Sequence, residues 1–224
     1  MSPFFPFHSH IIPLEPEYPG SVVTPPLLLS LINPIAAASP ALIPILKLLT
    51  YVARFTIFLK NTIRATDGAV WKDLTWCGQH IQPLTSRLLT HRSPIDSTDA
   101  STATHEMLRL ALMLYLTPIR RSFGIYPVTM DIHVAKLWAL FQDKLQVLPT
   151  AVLSNELRFW VAMVGAIEAQ GILRDAFAIE LRDLARTMEI VSLSEAEECF
   201  HSVMLMEVHG PGLRSLWMDT EMEL

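Results

Sequence analysis

The side chains with most chemical potential are few and scattered. Cys199 and His201, with His209 beyond, offer sulfur and imidazole donors, but residues two apart on a helix point in different directions and no second cysteine is near. The expectation is an inert, buried Cys199 thiol. His8 and His10 lie in a proline-rich start and read as a tail feature. His105-Glu106 is followed by Arg109, so the pair of histidines one turn apart that a zinc-protease helix needs is missing. Glu156, Glu168 and Glu180 with Arg158, Arg174 and Arg182 read as a solvated face of helix-surface pairs, because acid–base work needs carboxylates brought together in a cleft. Trp138 and Trp160 fall on apolar stripes and are expected in the core; Trp71, Trp76 and Trp217 are candidates for a stacking or anchoring surface. The eight glycines are too dispersed for a phosphate loop, and there is no G-x-S-x-G elbow. No catalytic, cofactor-binding or metal-ligating residue is assigned.

The elements that position these residues are helices. The 224 residues are 51% hydrophobic and only 17% charged, which excludes a largely disordered chain. Two cysteines cannot build a disulfide framework, and a net charge of −5 does not favour broad attraction to nucleic acid or anionic lipid. Most of the sixteen prolines fall between Pro3 and Pro44, so residues 1–26 should be extended or loosely ordered. The uncharged stretch from Tyr18 to Leu46 raises the question of a membrane span. Five of its prolines, from Pro25 to Pro44, argue instead for a broken helical hairpin covering the core, and no membrane contact is expected. The domain boundary is placed at residues 42/43, with a single helical domain to 218 and a tail over 219–224.

Apolar spacings of three and four predict a helix from Ile43 to the Asp67-Gly68 stop, and a short one near Gln79–Thr90 with Pro83 in its first turn. The polar run Ser93–Thr104 reads as a loop. Beyond it lie a core helix over Thr104–Leu116 that Pro118 helps to end, and a stripe over Asp131–Leu148 closed by Pro149. Ser154 caps the next helix, Gly171 ends or bends it, and Phe177, Leu181 and Leu184 line another. Ser192 and Glu195 have capping-box spacing before a helix through about Met206, and Gly210-Pro211-Gly212 turns the chain into a terminal segment. No period-two alternation suggests strands. The fold class expected is all-α, an irregular bundle or array of seven to eight helices.

The segment 156–171, ELRFWVAMVGAIEAQG, carries Trp160, Gly165 and Gly171; Phe177, Leu181 and Arg182 follow, then Ser192, Glu195 and Glu197, and finally Leu216-Trp217. In order and spacing, residues 150–218 resemble the C-terminal regulatory region of fungal-specific transcription factors, whose separate DNA-binding module is a six-cysteine zinc cluster. The resemblance implies a nuclear, non-catalytic domain acting through protein partners such as the transcriptional machinery, with homo-oligomers compatible. The chain departs from the family at Phe177 and at Met204-Leu205-Met206, where the family often has tryptophan. It also lacks the six cysteines, so DNA recognition through a zinc cluster is not implied. The alternative reading is a helical small-molecule binder or enzyme with an apolar pocket among Met107, Tyr115, Trp138 and Trp160.

Overall fold

The computed structural model describes residues 22–91, 100–145 and 153–219. His8, His10, Pro149 and most of the polar run before Thr104 lie outside them. Among the described residues there are nine α-helices, three short 3₁₀ turns and no strand, which is the all-α class expected.

Helix α1 (Pro26–Ala38) is followed by a 3₁₀ turn (Pro40–Leu42) and then by α2 (Ile43–Ala65). Residues 26–42 are thus helical and packed, and the domain begins earlier than the 42/43 boundary. Leu28, Ile32, Ile35 and Leu42 are buried, and Pro26, Pro40 and Pro44 each sit in a first turn, where no backbone donor is required. This is the broken hairpin that the proline spacing suggests.

Helix α3 (Leu74–Thr90) starts five residues before the predicted position, leaving Pro83 in its interior. Asp73 decides the start: its carboxylate accepts the Trp76 N–H at 2.9 Å. Helix α4 (Ala100–Ser122) likewise runs past Pro118. Burial of Ile119 in that last turn, and of Phe123 just beyond it, offsets the backbone bond the proline removes. Helix α5 (Met130–Leu145) packs on α4, and α6 (Asn155–Glu168) opens on the Ser154 cap.

Helix α6 is the hub, packed against α4, α5, α7 (Gly171–Thr187), α8 (Leu193–Val203) and α9 (Gly210–Asp219). Gly165 allows α7 to approach, since a Cβ there would stand 2.6 Å from the Phe177 ring. Gly171, at φ +53°, makes the turn between the two helices. Ser192 and Glu195 form the capping box of α8. That helix ends at Val203, short of the predicted Met206, because residues 204–206 run extended and the Met204 carbonyl accepts the Trp160 indole N–H at 3.2 Å. Gly210-Pro211-Gly212 is the first turn of α9 and not a separating turn; a Cβ on Gly212 would meet Ile167 at 2.9 Å. Asp219, placed in the tail by sequence, ends α9 and pairs with Arg174 at 2.7 Å.

Candidate functional site

A strongly polar cluster inside the packing lies where α3, α4 and α5 meet. Helix α4 is apolar almost all round, yet it carries Arg109, only 6% exposed, among its buried residues. A buried guanidinium must be paired and fully hydrogen-bonded to be tolerated. Arg109 donates Nε to Glu106 Oε2 at 2.6 Å and Nη2 to Oε1 at 2.8 Å, a bidentate pair one turn apart. Its Nη1 donates to the Leu88 carbonyl at 2.9 Å, satisfying one of the orphan acceptors at the end of α3. Lys136, from α5, donates to Glu106 Oε1 at 2.7 Å. One carboxylate therefore joins three helices. Burial opposes its ionisation, but hydrogen bonds from Arg109 and Lys136 outweigh that and hold the Glu106 carboxyl at about 2.

Three histidines surround this group. The His91 and His105 rings lie 5.1 Å apart. His91 Nε2, His105 Nδ1 and His133 Nδ1 are buried without a hydrogen-bond partner. Burial lowers all three imidazoles from their ordinary range; Arg109 lowers each further, as do His91 for His105 and Lys136 for His133, while Glu106 raises both His105 and His133. They are neutral near pH 7.

His133 also borders a cavity of about 190 Å³ between α3, the α4 end and the α4–α5 connection. Its walls include Leu88, Leu116 and Met130, and among the described residues Arg120 is the one cation there and no carboxylate lines it. Thr85 and Thr117 reach it too, but their hydroxyls donate to the Ile81 and Met113 carbonyls, so neither is activated as a nucleophile. What the arrangement can do is bind: a fixed cation, a neutral imidazole and apolar walls. The signal in the sequence is an opposite-charge pair three residues apart, Glu106 and Arg109, amid the apolar run of α4.

Two further cavities lie elsewhere. One of about 270 Å³ separates α1 from α2, beside Lys47, Tyr51 and Arg54. Another, about 250 Å³, is bounded by Lys60, Arg64, Trp71 and Glu207. None of the three is lined by Met107, Tyr115, Trp138 or Trp160. Tyr115 and Trp160 are completely enclosed, Met107 is buried, and Trp138 packs edge-on against Phe177 at 4.8 Å.

The remaining residues singled out by type are held apart. His209 is fully buried, with Nδ1 3.2 Å from the Met206 carbonyl and Nε2 3.0 Å from that of Tyr115. Desolvation drives its pKa down to about 4 against the pull of both carbonyls. The Tyr115 hydroxyl shares a 3.0 Å bond with Thr56, and burial raises its pKa well above the ordinary phenol value. Burial, and then Glu156, push the Cys199 thiol up to about 12, so it is not a thiolate. Among the described residues no group of three or more His, Cys, Asp or Glu could hold a metal ion.

The expected solvated face is only partly one. Arg158 and Glu180 pair at 3.5 Å, but Glu168 is buried and meets the Arg121 guanidinium of α4 at 2.8 and 3.0 Å. Burial raises the Glu168 pKa against that cation. Trp71 and Trp76 are half-buried and converge on Phe123, at 4.9 and 5.8 Å between ring centres. Compared with protein families, curated proteins and solved structures, the chain matches none.

Proposed function

We propose that this chain is a non-catalytic, transcription-regulator-like domain that acts through protein contacts. The observation that carries the reading is on α7, within the region that resembles fungal regulatory domains. Ile172 and Ile179 stand seven residues apart, on one face of that helix, and are 86% and 59% exposed. Single exposed apolar residues are ordinary, but two branched ones stacked on one helical face suit an apolar partner groove. Opposite them, Phe177, Leu181 and Leu184 hold α7 to α6, so the helix presents that face on a rigid support. The residues of the resemblance are packing residues, which suits a scaffold.

The test is a tethering assay. The chain, fused to a heterologous DNA-binding domain in fungal cells, should change transcription of a reporter carrying the cognate sites. The Ile172→Glu/Ile179→Glu variant should lose that change while melting as the parent does. No reporter response from a folded, nuclear fusion overturns the reading, as does full response from the double variant.

A further inference from the structure

We propose that the cavity between α3, α4 and α5 binds a compact organic acid, its carboxylate on Arg120 and its apolar part among Leu88, Leu116 and Met130. This rests on the lining of that cavity and not on the protein-contact reading.

The charge balance comes first. Arg120 and Arg121 are neighbours in the last turn of α4, about 100° apart around the helix axis. Arg121 is committed to the buried Glu168. Arg120 lines the cavity and makes no ion pair within 4 Å among the described residues, although it is half-buried. Among the described residues no acidic side chain lines the space to neutralise the guanidinium. A fixed cation in a low-dielectric concavity attracts an anion, and a planar fork of donors suits a carboxylate in particular.

Shape and hydrogen bonding narrow the class. About 190 Å³ is roughly the liquid volume of six waters, which excludes nucleotides and long lipids but admits a short aliphatic or single-ring acid. The Thr85 and Thr117 hydroxyls already donate to the Ile81 and Met113 carbonyls and are not available as donors to the anion. His133 borders the same space from the start of α5. Behind the wall, Arg109 donates to the Leu88 carbonyl and touches the Met113 sulfur at 3.3 Å, so the Glu106 cluster braces two residues of the lining.

Calorimetric titration of the whole chain with hexanoate and benzoate tests the proposal, with hexanamide as the uncharged control. Saturable one-site binding of at least one acid is expected, at least tenfold tighter than hexanamide. Arg120→Gln should weaken the acid at least tenfold and leave hexanamide within twofold; Arg120→Lys should recover part of the loss. Leu116→Trp, which fills the space, should abolish binding of the acid, with the melting temperature checking that each variant is folded. Absence of binding by both acids overturns the proposal, as does unchanged affinity in Arg120→Gln or in a folded Leu116→Trp. Any of these outcomes leaves the reporter assay on α7 unaffected.

Discussion

At the residue scale the Glu106–Arg109–Lys136 group makes a sharp prediction, because its members differ in exposure. Glu106→Gln leaves Arg109 buried without its counter-charge and should cost about 3–5 kcal/mol in urea unfolding. Lys136, 53% exposed, contributes to the same carboxylate across solvent, so Lys136→Met should cost at most ~1 kcal/mol. Equal losses from both variants would show that the counter-charge to buried Arg109 is not what sets the cost of losing Glu106. His209 makes a second prediction, through pH. Its folded pKa of about 4 lies below that of a free imidazole, so between those values the unfolded chain carries a proton that the folded chain does not. Stability is therefore complete above about pH 6.5 and declines by a few kcal/mol as the pH falls towards 4. Burial shifts His80, His91, His105, His133 and His201 in the same direction, so the acid limb is collective. His209→Gln should flatten melting temperature against pH over that range, and an unchanged slope would mean that His209 does not contribute.

At the element scale the contact between α6 and α7 depends on what Gly165 omits. Gly165→Ala puts a methyl 2.6 Å from the Phe177 ring and should destabilise by about 1–3 kcal/mol. Adding Phe177→Leu should recover part of that, and strict additivity in a double-mutant cycle would exclude the contact. Ser192→Ala should cost about 1 kcal/mol by removing the capping box of α8, measurable in the same unfolding assay. Helix identity was legible where a stripe met a stop, as in α2, or followed a cap, as in α6 and α8. It was misread where proline was given too much weight: Pro83 and Pro118 sit inside α3 and α4 because Asp73 fixes one start and buried Ile119 and Phe123 extend the other end. The end of α8 was hidden for another reason, since it is set by a tertiary bond to Trp160 that no local spacing encodes. Arg120 lies in the last turn of α4, and its place beside a cavity depends on the α4–α5 connection folding back over it.

At the scale of the whole molecule, Pro40–Ala65 is long and apolar enough to cross a bilayer, but 56% of its apolar window is buried within the fold. Leu42, Ile45, Leu49, Val52, Phe55 and Leu59 face protein, so carbonate extraction of cells should release the chain into the supernatant; recovery in the pellet would refute a core role for α2. The same centre draws on distant parts of the sequence. Thr56 meets Tyr115, Tyr115 meets His209, and Trp160 meets Met204. During synthesis on the ribosome, the earlier members of this set emerge long before their late counterparts, so the nascent chain leaves the exit tunnel with its central seam still open. The centre of the fold is therefore one cooperative unit spanning residues 56 to 209, and it closes only when residues 204–209 arrive.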